Sequence, residues 1–219
     1  MSDDLRWRIA HRVSCAFSSM GDGDVRDPAR RQAWLGRIGV ARRCAVVRQV
    51  HGAVVVDADV GVALAADAQV STDPTLGLVA FGADCPGLCV AAPDVLGIAH
   101  CGWRGTAAGI VRGLIDAVRA HSRHPVSTFA ALVGPGIAAE DYEVDGPVLD
   151  SRHWPPISLR SGRPGHAWLD LPVAIAAEVR SAGITDITTS GVSTSRDPRL
   201  WSFRRQGAGL VQALVAWRD

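Results

Sequence analysis

Between residues 76 and 121 the hydrophobic period of the chain changes once, and that change restricts the folds open to it. "LGLVAFGADC" (76–85) and "GLCVAAPDVLGIAHCG" (87–102) are apolar runs closed by turn residues, which read as two or three strands with a turn at Pro93-Asp94. From Thr106 onward, "TAAGIVRGLIDAVRAH" (106–121) places Ile110, Leu114, Ile115 and Val118 on one face at helical spacing. Strand pairs joined directly, with a helix only afterwards, do not make the regular alternation of a doubly wound parallel sheet.

The same irregular order holds elsewhere. "DPARRQAWLGRIG" (27–39) predicts a short helix capped by Asp27, with Pro28 at its first position and Gly39 at its end. "CAVVRQVHG" (44–52) and "AVVVDADVGV" (53–62) predict strands. So do "STFAALVGPGI" (127–137), up to its Gly-Pro-Gly turn, and "ITDITTSGVST" (184–194). "DLPVAIAAEVRSAG" (170–183) predicts a helix started by Asp170 and stopped by Gly183, and "GAGLVQALVAW" (207–217) a further helix. The segment 145–168, rich in Pro, Gly, Ser and Trp, predicts a long surface loop. The expected fold class is α/β, a mixed-sheet sandwich. The 219 residues contain no internal repeat and suit one core, hence one domain over 1–219.

Composition removes several functions. A net charge of +1 gives no electrostatic basis for binding nucleic acid or an anionic membrane. No stretch approaches the ~18 apolar residues of a membrane span. The start, "MSDDLRWRIAHRVS", lacks the apolar centre of a signal peptide, so a cytoplasmic location is expected. Five cysteines without an export signal argue against a disulfide framework. There is no lysine, which excludes Schiff-base chemistry and a P-loop lysine.

Three chemically capable residues sit where an apolar strand stops: His51 in "QVHG", Cys85 in "ADCPG" and His100 in "AHCGWRG". Strand ends aim side chains rigidly while the next loop stays open. Two imidazoles and a thiolate suit a first-row metal, zinc first, and leave a fourth position open for catalysis. Each residue alone also reads as ordinary core or as a hydrogen-bonded loop residue. Cys85 and His100 alone read as a metal-free nucleophile–base dyad. Cys89 and Cys101 read as core, Cys101 pointing opposite to His100. "HSRH" (121–124) offers a metal chelate or, at a helix end, complements the helix dipole. In "GWRG" the glycines permit a tight turn before a helix, whose N-terminus favours an anion. Arg104 adds a forked donor for phosphate or carboxylate, and Trp103 an apolar wall. The alternative is a structural turn with Arg104 in a surface ion pair. "SFRR" (202–205) adds Arg204 and Arg205, or else a solvated face.

In order, "QVHG", "AADAQVSTD", "ADCPG", "AHCGWRGTAAGI", "GPGIAAEDYEV" and "SFRR" resemble the YfiH family, also called the laccase-domain or multicopper polyphenol oxidase family. The resemblance runs from residue 44 to 206. It implies an α/β/β/α fold similar to the catalytic domain of cytotoxic necrotizing factors. It also implies one zinc on His51, Cys85 and His100, and phosphorolysis of adenosine, inosine and methylthioadenosine together with deamination of adenosine. On this reading Cys85, His100 and Arg104 are catalytic. Gln49, Asp67, Trp103, Arg204 and Arg205 contact the nucleoside and the phosphate co-substrate. The chain departs from the family pattern at Cys101, Pro86, Ser193-Thr194 and Leu210, which bears on substrate preference. Two other enzymatic readings compete: a Cys–His hydrolase or amidase of the kind linked to peptidoglycan-precursor editing, and a copper oxidase. The seven histidines include no His-x-His pair, which argues against copper. A non-enzymatic nucleoside-binding module is the remaining reading.

Overall fold

Apolar runs with polar ends become the central strands of two stacked sheets. The computed structural model describes residues 5–219; the first four residues of the N-terminal stretch read above lie outside it. The chain opens with a hairpin, β1 (Leu5–Ile9) and β2 (Val13–Phe17), followed by α1 (Pro28–Arg37). Then come β3 (Cys44–Ala45), β4 (Val55–Asp57), β5 (Ala68–Ser71), β6 (Gly77–Gly82), β7 (Gly87–Ala91) and β8 (Leu96–His100). Two helices follow, α2 (Trp103–Ala107) and α3 (Ile110–His121), then β9 (Ala130–Val133), β10 (Glu143–Val144) and α4 (Gly146–Leu149). The last third holds β11 (Leu159–Ser161), β12 (Ala167–Leu169), α5 (Leu171–Ser181), β13 (Asp186–Thr189), α6 (Phe203–Gln206) and β14 (Gln212–Arg218).

One sheet has the order β1-β2-β14-β6-β3 and the other β13-β9-β7-β8-β5-β4; a small third sheet is β10-β12-β11. Both large sheets are mixed, with parallel pairs at β3–β6, β4–β5 and β9–β13. Phe17, Leu78, Ile98, Leu132 and Leu214 fill the space between them. Trp34 and Leu35 of α1 cover the outer face of the first sheet. Leu114, Ile115 and Val118 of α3, with Ile175 and Val179 of α5, cover the outer face of the second. The architecture is therefore α/β/β/α, as expected. Among the described residues no helix is long and apolar enough to cross a membrane.

The helices at 27–39 and 170–183 form as read, each with its aspartate side chain accepting a first-turn N–H. Four expectations need correction. Residues 212–218 form β14, not a helix. Leu214 and Ala216 face the space between the sheets, while Ala213, Val215 and Trp217 face α1. A strand buried on both faces is apolar at every position, so it shows no period of two. The segment 145–168 is not an extended loop; it carries α4, β11 and the start of β12, and buries Val148 and Trp154. The helix read from 106 begins at Trp103 and breaks at Gly109, whose φ of 94° ends α2 after one turn and lets α3 set off in a new direction. The strands at 44–52 and 53–62 shrink to β3 and β4, and the chain between them runs as irregular backbone up to His51.

Candidate metal centre

His100 is the last residue of β8, Cys85 lies in the turn between β6 and β7, and His51 ends the irregular stretch before β4. Their ligand atoms all lie within 4.8 Å of one another. The two imidazole rings meet edge to face, with centroids 4.7 Å apart. His51 is exposed, Cys85 half-buried and His100 buried, so the cluster is open on one side. Gly102 makes room for it. A Cβ there would stand 3.1 Å from Cys85 Sγ, 3.3 Å from His51 Cδ2 and 3.4 Å from His100 Cε1. The three donors thus surround a space that any larger residue at 102 would enter.

Asp67, directly before β5, holds two of the three in place. Its Oδ1 accepts from the His51 N–H at 3.0 Å and contacts His100 Nδ1 at 3.0 Å. Its Oδ2 accepts from the N–H groups of Gly52 at 2.7 Å and Val50 at 3.2 Å. These bonds hold His51 in a left-handed backbone conformation, φ 59°. They also commit Nδ1 of His100 to the carboxylate, which leaves Nε2 for the cluster. Burial pushes the Asp67 carboxyl up, but His100 and the amides of Gly52 and Val50 outweigh it and hold it below the usual range. Burial likewise pushes the Cys85 thiol up, and His100 and His51 bring it down to about 7. Burial disfavours the charged His100 ring, yet Asp67 and Cys85 raise it to about 9. In the metal-free protein the pair is a thiolate beside a protonated imidazole, and a first-row metal would bind the thiolate and take the place of the His100 Nε2 proton.

A cleft opens beside the cluster, lined by Trp103, Tyr142, Asp145, Arg163, His166 and Arg204. Each aromatic wall carries an arginine. The Arg104 guanidinium lies 4.3 Å from the Trp103 ring centroid, and that of Arg204 lies 5.4 Å from Tyr142. Burial raises the Tyr142 hydroxyl to about 12, with the Cys85 charge adding to it and the two arginines opposing. The phenol therefore stays protonated among cations, next to the cluster.

Three residues expected to contact substrate are engaged by partners within the protein. Asp67 is 1% exposed, and its four acceptor positions are already taken. The Gln49 amide is paired in both directions with the Phe81 backbone, at 2.9 and 2.7 Å, which ties the His51 segment to β6. The Arg205 side chain turns to the carbonyls of Ser195, Asp197 and Leu200 and staples that loop. The "GWRG" stretch lies within α2 itself, with Gly102 as its N-cap; this helix is a single turn, too short for a strong N-terminal dipole, so any anion there rests on Arg104 itself. Cys101 faces the α3–α5 core and Cys89 the space between the sheets, as read. His121 contacts Asp57 at 3.0 Å and the Ala117 carbonyl at 2.9 Å, at the end of α3.

Two site residues carried no sequence reading: Tyr142, the only tyrosine in the chain, and Asp84, which shares its motif with Cys85.

Fold and site together define a class: an α/β/β/α sandwich with a His–Cys–His cluster and an arginine-flanked cleft beside it. The chain belongs to the family described as multi-copper polyphenol oxidoreductase laccase, whose family model matches residues 14–218. It is 36% identical over 168 residues to a purine nucleoside phosphorylase of Deinococcus radiodurans, covering 73% of this chain and 63% of that one. It is 32% identical over 180 residues to a purine nucleoside phosphorylase of Pseudomonas aeruginosa, covering 78% and 73%. Among solved structures, a Neisseria meningitidis protein superposes with a TM-score of 0.89 at 22% identity, over the whole of both chains. YlmD from Geobacillus stearothermophilus gives 0.87 at 22%, covering 100% of this chain and 98% of that one. At that identity the structures share the fold.

Proposed function

We propose that this chain is a zinc-dependent purine nucleoside phosphorylase that takes adenosine, inosine and methylthioadenosine, uses phosphate as co-substrate, and also deaminates adenosine. The observation that carries the reading is the convergence of His51, Cys85 and His100 around the space left by Gly102, next to the cleft between Trp103–Arg104 and Tyr142–Arg204. The names of the curated relatives support the phosphorolytic part.

The donor set fits zinc: two imidazole nitrogens and one thiolate, with Asp67 behind His100 as the orienting carboxylate. When bound, zinc supplies Lewis acidity at the edge of the cleft. The rest falls to the chain's own groups. In phosphorolysis a phosphate oxygen bonds to the ribose C1′, the C1′–N9 bond breaks, and its electron pair leaves with the purine, which takes up a proton. Arg104 and Arg204 supply the positive charge that holds the phosphate against C1′. Trp103 and Tyr142 give flat apolar faces for the base or ribose. In deamination a water oxygen bonds to C6 and ammonia departs, and no phosphate enters the site.

The test is product analysis on the zinc-loaded protein. Inosine with phosphate should yield hypoxanthine and ribose 1-phosphate; adenosine without phosphate should yield inosine and ammonia. Turnover that persists unchanged after a strong chelator has stripped all metal refutes the zinc mechanism and favours a Cys85–His100 dyad.

A further inference from the structure

One residue before Cys85, the backbone takes a conformation that ordinary residues avoid. Asp84 has φ 87°, in the left-handed region that glycine, asparagine and aspartate enter more readily than other residues. Its carboxylate is buried and accepts three hydrogen bonds. They come from the Thr194 hydroxyl at 2.7 Å, the Ser202 hydroxyl at 3.0 Å and the backbone N–H of Arg204 at 2.7 Å. Thr194 and Ser202 are each 1% exposed. All three donors are neutral, and a buried carboxylate among neutral donors is a weak source of stability. Strain and burial at one position, beside a metal-ligand candidate, indicate a geometric task.

The task is visible in α6. This helix is a single turn, too short to persist by its own hydrogen bonds. Ser202 caps it by accepting from the Arg205 N–H at 3.2 Å. Asp84 supplies the second acceptor, for the Arg204 N–H, from the far side of the sequence. Fixing that N–H fixes the root of the Arg204 side chain, and Tyr142 then sets its outer part. One aspartate therefore anchors the Cys85 turn on one side and the cleft arginine on the other.

We propose that Asp84 is a positioning residue that presents the Arg204 guanidinium to the phosphate co-substrate, in register with the His51–Cys85–His100 cluster. The inference rests on the phosphorolytic reading of the cleft. Two variants isolate it. Asp84→Gly deletes the carboxylate and accepts φ 87° without strain. Asp84→Asn tolerates the conformation and can turn its amide oxygen to Arg204 and Ser202 while donating to Thr194. Inorganic phosphate is titrated calorimetrically into the zinc-loaded protein. Arg204→Ala should weaken phosphate binding about tenfold, Asp84→Gly about equally, and Asp84→Asn less than about threefold. The Asp84→Gly/Arg204→Ala double variant should bind no more weakly than Arg204→Ala alone. Hydrogen exchange across 202–206 should speed up in Asp84→Gly. Additive losses in the double variant overturn the proposal, as does Asp84→Gly with parental phosphate affinity. If the parent protein neither binds phosphate nor cleaves inosine, the functional reading fails. The exchange measurement then decides Asp84 separately: faster exchange keeps its hold on Arg204, and unchanged exchange removes it.

Discussion

Asp67→Asn is the sharpest probe of the metal centre, because it changes charge and acceptor count while keeping shape. The carboxylate accepts from three backbone N–H groups and engages His100 Nδ1, two partners on each oxygen. An amide keeps one oxygen, so with its nitrogen on the Oδ2 side the Val50 and Gly52 contacts both become donor against donor. At roughly 1.5–3 kcal/mol for a hydrogen bond to a charged group, the metal-free protein should lose about 3–6 kcal/mol. Orientation of His100 suffers too. If the amide nitrogen faces Nδ1, the ring must accept there and carry its proton on Nε2, which removes the lone pair needed for a metal. Loss of an orienting carboxylate typically lowers metal affinity about 10–100-fold. The assay is competition for zinc against a chelator of known affinity, with urea unfolding of the metal-free protein alongside. Parental zinc affinity in Asp67→Asn would refute the orienting role, whatever happens to stability.

Gly102→Ala should weaken zinc binding more than it lowers the unfolding midpoint. Its φ of −67° suits alanine, and the new methyl intrudes on Cys85, His51 and His100; zinc content by elemental analysis and a thermal melt check this. Arg104→Ala should reduce phosphate-dependent inosine cleavage about ten- to a hundredfold and affect phosphate-free adenosine deamination less. Equal loss of both activities would make Arg104 a general binding or structural residue. Arg205→Ala should behave oppositely: a lower melting temperature from the freed carbonyls of Ser195, Asp197 and Leu200, with the KM for phosphate unaltered.

Much of this arrangement is legible before folding. The helices at 28–37 and 171–181 announce themselves through aspartate caps and a proline in the first turn, because capping is a local interaction. Of the three site residues read at strand ends, His100 closes β8 and Cys85 lies in the turn after β6, whereas His51, read at the end of a strand over 44–52, sits on irregular backbone. What sequence does not carry is how long-range partners use the remaining side chains. How Gln49 and Asp67 are engaged shows only once their partners, up to 33 positions away, are known. Arg204 and Arg205 are adjacent and chemically identical, yet one faces the cleft and the other the loop at 195–200. Asp84 is fixed by groups 110 to 120 positions distant, beyond the reach of any periodicity. The strand at 212–218 is misread because two-sided burial erases the alternation that separates strand from helix.

That strand has a consequence for biosynthesis. β14 lies in the middle of its sheet, paired with β2 on one side and β6 on the other. Until residues 212–218 have left the ribosome, β2 and β6 have no partner between them, and the apolar surfaces of Phe17 and Leu78 stay uncovered. The nascent chain must therefore carry open strand edges through most of its synthesis, the state in which sheet proteins aggregate. Closure of the sheet by pairings this distant in sequence is slow. Production of this protein should thus depend on holdase chaperones and low temperature more than its final packing would indicate. Truncations that remove 212–218 should yield insoluble protein rather than a shortened fold.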